Sequence, residues 1–347
     1  MPKVGIDDLL VSRQASAADL DALPRKELWP QLDPVALDSV AGDFVTTLDP
    51  YTEADPVAVL GHLLTSVGNV IGPRPHARVQ YDRHPARLDM AFVGRTSKGR
   101  KGLALSPVRH VLAQVRPDWA RARIKTGLSS GEGLIYHVRD PREELRSVKK
   151  NREMVQKAVL VDAGESDKRL LIIEPELAVV LKRMGAEGNS LSGVMRQAWD
   201  SGDLSTLTKN APMTATGAHV SVIAHITEEE LRRSLTETER ANGFGNRFIW
   251  LLVRRSKVLP AGQPVPEHQL QRLIHDVDLA ISAAQRVDEM KRTPGADRYW
   301  SDIYPSLSAE EPGMVGAILS RAEAQVLRLS VIYALLDRSE QIRLPHL

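Results

Sequence analysis

Five strand-length apolar runs punctuate the middle of this chain: MAFVG at 90–94, IKTGLS at 124–129, LLIIE at 170–174, HVSVIAH at 219–225 and RFIWLLV at 247–253. Helical stretches fill the longer intervals between them. That alternation predicts an α/β core, a mostly parallel sheet with helices on both faces. The core is expected over 86–256, after an N-terminal helical and irregular region at 1–85 and before a C-terminal helical region at 257–347.

The flanks read as follows. Residues 1–50 are polar and Asp-rich, and Pro24, Pro30, Pro34 and Pro50 cut them into short pieces. Asp55-Pro56 is an N-cap followed by proline at N1. The helix it opens runs from Val57 to about Ile71, with Val59, Leu60, Leu63, Leu64 and Val67 on one face. AVLVD (158–162) and LLIIE flank a turn-like AGESDK and are expected to form a hairpin appended to the sheet. Residues 256–264 read as a linker. A helix near 265–291, a loop around Pro294-Gly295 and a strongly amphipathic helix at 315–337 follow. A further helix is expected after the closing LPHL, so the chain reads as a fragment or a truncated gene.

Composition narrows the class. At 347 residues the chain exceeds the roughly 250–300 at which single cores stop growing, so one large domain with helical additions is expected. The chain has no cysteine, which excludes disulfides, Cys-ligated zinc and a cysteine nucleophile and fits a reducing, cytoplasmic location. The net charge of +2 makes no global case for nucleic acid and leaves that question to local patches. No stretch has the apolar length of a signal peptide or a membrane span.

Chemistry-bearing residues gather after the runs. Gly94-Arg95-Thr96-Ser97-Lys98-Gly99-Arg100-Lys101-Gly102 follows a strand and precedes a helix, the setting in which loop amides and a helix N-terminus cradle phosphates. Gly94 and Gly99 have the spacing of a P-loop. Arg100 stands at the lysine position with Lys101 after it, and Gly102 and Leu103 stand where a Mg²⁺-binding hydroxyl is usual, with Thr96 or Ser97 as substitutes. Glu174 ends an apolar strand downstream, where a carboxylate orients Mg²⁺. Glu132, in GLSSGEG (127–133), is the first choice for the base that activates water, ahead of Glu176. His225 ends a strand where a γ-phosphate sensor sits, whereas Thr227 with Glu230 forms a capping box. Arg247 opens the last strand as an arginine finger reaching a neighbouring subunit or as an intrachain ion pair. Arg321 and Arg328 share a helix face, as a second sensor or as structural arginines. Between Gly185 and Gly217, Arg196, Lys209 and Asn210 are candidate DNA contacts, with Trp199 as a base-stacking or core residue.

Six segments together, PYTEADPVAVL (50–60), VGRTSKGRKG (93–102), TGLSSGEGLIYHVRDP (126–141), KRLLIIEPELAVVLKRM (168–184), GNSLSGVMRQAWDSGDLSTLTKNAP (188–212) and ANGFGNRFIWLLVRRSK (241–257), resemble the YfjI-like domain family of plasmids, prophages and integrated elements. The resemblance spans roughly residues 35–347. It implies a RecA-like P-loop NTPase core binding ATP and Mg²⁺, a homo-oligomer such as a hexameric ring, single-stranded DNA as partner, and work beside a primase–polymerase. Leu103 departs from the family pattern, which has a hydroxyl residue there, and the family continues past this chain's end. The expectation is an ATP-dependent DNA motor or replication-associated ATPase of a mobile genetic element. The alternatives are a non-hydrolysing DNA-binding or loader protein with a degenerate nucleotide site, and a P-loop kinase.

Overall fold

The structure, a computed structural model, describes residues 29–95, 100–150, 153–206, 212–235 and 242–347, with backbone alone at 148–150 and 153–155. The chain divides after Pro34, and Val35–Leu347 carries every element named below. In order these are α1 (Val40–Leu48), α2 (Pro56–Ile71), β1 (His76–Val79), β2 (Asp82–Pro85), β3 (Asp89–Val93), α3 (Lys101–Val115), α4 (Pro117–Ala122), β4 (Ile124–Lys125), α5 (Gly131–Tyr136), β5 (Arg142–Lys150), β6 (Glu153–Asp162) and β7 (Arg169–Glu174). Then come α6 (Leu177–Met184), α7 (Leu191–Asp200), β8 (Leu204–Thr206), β9 (Met213–Ala215), β10 (His219–Ile226), α8 (Glu228–Ser234), β11 (Phe248–Leu252), α9 (Glu267–Ala284), β12 (Glu289–Arg292), α10 (Pro294–Leu307), α11 (Gly313–Leu319), α12 (Ala322–Leu336) and β13 (Gln341–Ile342).

Each of the five apolar runs contributes a strand to one sheet, ordered β11-β3-β10-β7-β4 with every pair parallel. Central β10 is buried over its whole length, which is why its sequence is mostly apolar. Of its polar side chains, His219 and His225 have hydrogen-bond partners, whereas the buried Ser221 hydroxyl has none among the described residues. Its Val220, Val222, Ala224 and Ile226 pack into a core with α5, α6 and α7. The alternate residues face α2, because strand side chains alternate.

Helix α2 is held by polar contacts as well as by packing. Asp55 caps it, accepting from the Val57 amide at 3.1 Å. Near its other end the Asn69 amide group donates to the carbonyls of Leu170 and His219, each at 3.0 Å, and accepts from Trp119 Nε1 at 3.1 Å. Gly68 sits so close to the sheet that a Cβ there would lie 2.3 Å from the Ala86 carbonyl oxygen. The helix therefore runs antiparallel to the strands, and its first turns lie at their carboxyl ends.

Several expectations are corrected. β6 pairs antiparallel with β5, Lys150 opposite Glu153, and not with β7. Arg139 donates to Asp162 at 2.7 and 2.9 Å, and Lys168 Nζ to Asp140 and to the carbonyls of Val138 and Arg139. These bonds tie AGESDK to residues 138–140 and leave β6 nothing to fold onto at β7. IKTGLS yields only the two residues of β4. The helix expected to 291 stops at Ala284, because β1 recruits 289–292 in parallel and buries Met290. Pro294 starts α10 at N1, where a missing amide hydrogen loses nothing. The helix expected over 315–337 is two helices broken at Ser320-Arg321. A second sheet, β13-β12-β1-β2, thus joins regions expected to be helical at both ends of the chain.

Candidate functional site at the carboxyl edge of the sheet

The loops after β3, β4, β7, β10 and β11 leave one edge of the parallel sheet, where open α/β sheets bind ligands. Adjacent elements are bonded there: Gly94 N donates to Ile226 O at 3.2 Å, and Val253 N to Val93 O at 2.8 Å. A Cβ at Gly94 would lie 2.7 Å from the Val253 carbonyl oxygen, so only glycine lets the chain leave β3 this close to the β11 exit.

Of the phosphate-loop candidates, Gly94, Arg95, Arg100, Lys101 and Gly102 are described; Thr96, Ser97, Lys98 and Gly99 lie outside the described residues. The two adjacent cations part company. Arg100 takes a left-handed conformation, φ 53°, at the N-cap of α3, and its Nε donates to Glu53 Oε2 at 2.8 Å. Glu53 Oε1 accepts from Arg255 and from the Leu259 amide. These bonds hold the Glu53 carboxyl below the usual range, the Leu259 amide most and Arg255 next. Arg100 is thus drawn outward to an anchored carboxylate. Lys101 turns back: its Nζ donates to the carbonyls of Gly94 at 3.1 Å and Arg95 at 3.4 Å. Burial lowers its pKa, opposed by the Glu230 carboxylate. A half-buried ammonium held, among the described residues, by two loop carbonyls is poised to exchange them for an anion.

Glu174 is buried at the end of β7, and its Oε1 accepts the amides of both Gly127 and Leu128 at 2.6 Å. Arg183 holds the Leu128 carbonyl at 2.9 Å and Asn189 the Ser129 carbonyl at 3.0 Å. The carboxylate expected to bind metal thus also latches the β4–α5 loop to the sheet. Glu132, in the first turn of α5, accepts from the Ser190 hydroxyl at 2.9 Å. Glu176 is exposed at the N-cap of α6. Among the described residues no three His, Asp or Glu side chains gather as a metal shell. The first turn of α3 supplies Gly102 and Leu103, which carry no oxygen donor in their side chains.

His225 has a partner the sequence reading missed. His62, on α2, stacks on Phe92 at 3.8 Å between ring centroids and meets His225 Nε2 to Nε2 at 2.9 Å. His62 Nδ1 lies 2.5 Å from the Ala58 carbonyl, which can only accept, so Nδ1 carries the hydrogen. His62 Nε2 is then the acceptor and His225 Nε2 the donor. Burial pushes the pKa of His62 down to about 3, with His225 adding to the effect; burial and then Lys101 push His225 down to about 4. Both rings are neutral at neutral pH. The signal for His62 was available: His62, Thr65 and Asn69 recur at helical spacing as a buried polar stripe on an apolar helix. Thr227 and Glu230 form the expected capping box.

The remaining candidates lie elsewhere. Arg247 is buried at the amino end of β11, with Nη2 2.6 Å from Asp200 Oδ2 and Nη1 on the Gly243 carbonyl. The arginine-finger expectation therefore gives way to the intrachain pair in this chain's own fold. Arg321 pairs with the same Asp200 at 3.3 Å, and buried Arg328 stacks 3.6 Å from the centroid of buried Trp199. All three lie at the amino edge, and Trp199 is core. Arg196 bonds to the carbonyls of Ser192 and Asn242; Lys209 and Asn210 lie outside the described residues. No helix among the described residues is long and apolar enough to cross a membrane. Neither the family models nor the curated proteins compared with this chain match it.

Proposed function

We propose that this chain binds a nucleoside triphosphate at the carboxyl edge of its parallel sheet and works as an ATP-dependent DNA motor or replication-associated ATPase of a mobile genetic element. The observation that carries the reading is Lys101, folded back onto the Gly94 and Arg95 carbonyls where β3 passes through a loop into α3. The strand order supports it. In a RecA-like core the strand before the phosphate loop lies between the fourth and fifth strands, and the acidic strand lies beyond the fourth. β3, β10, β11 and β7 have that arrangement.

In this reading Lys101 gives up its two carbonyls for phosphate oxygens, and the amino end of α3 adds its dipole. Glu132, fixed by Ser190, is the base that orients water. His225, its ring held by His62, senses the terminal phosphate. Catalysis would rest on positioning and charge stabilisation. The described residues do not assemble a magnesium shell, and Arg100, paired with Glu53, is assigned to anchoring the loop.

A second reading, a nucleotide-binding loader that does not hydrolyse, is favoured by one observation: Glu174 already accepts two amides through Oε1. The test is ATP turnover by the purified protein with and without single-stranded DNA, beside Lys101→Ala. DNA-stimulated turnover that disappears in the variant supports the motor. ATP binding without turnover, lost in the variant, supports the loader. No ATP binding by the unaltered chain sinks both.

A further inference from the structure

A cleft of about 630 Å³ opens at the other end of the molecule, between the β1–β2 hairpin, β12, α10 and α12, lined among others by Arg78, His84, Arg292, Trp300, Tyr304 and Arg321. Its floor is unusually cationic. Arg87, Arg247 and Arg328 are buried beneath it with half-buried Arg321, while buried Asp89 and the exposed Asp200 and Asp203 are the acids that face them. Burial raises the Asp89 pKa to about 7, against the pull of the arginines. The buried Nε atoms of Arg87, Arg247 and Arg328 have no hydrogen-bond partner, and neither has His84 Nδ1 on the cleft wall. His84 reports the field: burial first, then Arg328, depress its pKa to about 4. A site with more buried positive than negative charge attracts an anion.

The rim adds rings to the charge. Trp300 and Tyr304 lie one turn apart on α10 with centroids 5.8 Å apart, and Arg292 stands 5.1 Å from the Trp300 centroid. Tyr81, at the tip of the β1–β2 hairpin, is 94% exposed. Arg78 pairs with Glu289 at 2.8 Å and Arg292 with Asp297 at 2.6 Å. These pairs are partly exposed and weakly held, and so yield to a stronger anion. Glu323 is the acid on the lining itself.

We propose that this cleft binds single-stranded nucleic acid, with bases stacked on Trp300 and Tyr304 and phosphates held by Arg78, Arg292 and Arg321. Paired bases offer no free faces to such rings, whereas unpaired bases do. The site is remote from the carboxyl edge and stands whether or not that edge hydrolyses ATP.

The experiment is binding of a fluorescent dT oligomer to the full chain by anisotropy, over a salt series. Tyr304 and Arg78 are partly exposed, so Tyr304→Ala and Arg78→Gln are expected to fold, which circular dichroism and the melting temperature check. Tyr304→Ala should weaken binding about tenfold with its salt dependence intact. Arg78→Gln should weaken it a few-fold and lower the salt slope by about 1. Lys101→Ala should bind as the unaltered chain does, which separates this site from the nucleotide site. The proposal is overturned if the unaltered chain does not bind the oligomer, if both folded variants bind as it does, or if a duplex of the same length binds as tightly.

Discussion

His62 and His225 face each other Nε2 to Nε2 at 2.9 Å between a helix and a strand 163 residues apart in sequence. Both stay neutral in the fold, with pKa values of about 3 and 4, whereas an unfolded histidine titrates near 6.5. Their contribution to stability is therefore complete above pH 6.5 and is lost as pH falls toward 4, because the unfolded chain takes up protons that the folded chain refuses. Unfolding free energies from denaturant titrations at pH 7.5, 5.5 and 4.5 should fall, by an amount on the order of a few kcal/mol in all. His62→Leu should flatten that dependence while lowering stability at pH 7.5 by about 1–3 kcal/mol, since His225 Nε2–H loses its acceptor. An unchanged acid slope in the variant would remove the pair from this role.

Gly94→Ala introduces a methyl 2.7 Å from the Val253 carbonyl oxygen, and backbone has no rotamer with which to yield. The expected loss is about 1–3 kcal/mol. The loop ahead of Lys101 should shift with it. Thermal melts give the first effect, and a lower nucleotide affinity with Lys101 still present gives the second.

Glu174→Ala leaves the Gly127 and Leu128 amides without their shared acceptor. Each orphaned amide costs about 1–3 kcal/mol if it stays buried, so the loop should open instead. Hydrogen exchange at these two amides should rise well above that of neighbouring β7. Equal protection in the variant would mean that Arg183 and Asn189 alone hold the loop.

Arg247→Ala separates two readings of one residue. An arginine acting across a subunit boundary would lose turnover and keep its melting temperature. The pair of buried Arg247 with the partly exposed Asp200 instead predicts a loss of about 1–3 kcal/mol, visible as a lower melting temperature before any activity is measured.

The five-stranded sheet was legible because its central strands are covered on both faces and therefore mostly apolar, as LLIIE and HVSVIAH are. β1, β2, β12 and β13 were not: HARV, DRHP and EMKR are short, charged and half exposed, and become strands only because partners from distant parts of the chain arrive beside them. At the site, the turn from strand to loop to helix could be read, since glycine and basic residues mark it. Which of Arg100 and Lys101 faces the loop could not. That choice is made by Glu53, almost 50 residues upstream, which no local pattern connects to the pair.

Asn69 bears on how the chain reaches this structure. One side chain joins α2 to β7, to β10 and to Trp119, so the helix synthesised before the core finds its seat only after residues 101 and 150 positions later have paired. Closing such loops is slow, and the rate of folding falls as contacts lengthen along the chain. Until then α2 is an almost wholly apolar helix without a surface to cover it. The early chain is thus exposed to self-association, and production yield should depend more on temperature and protein concentration than the finished protein's stability would suggest.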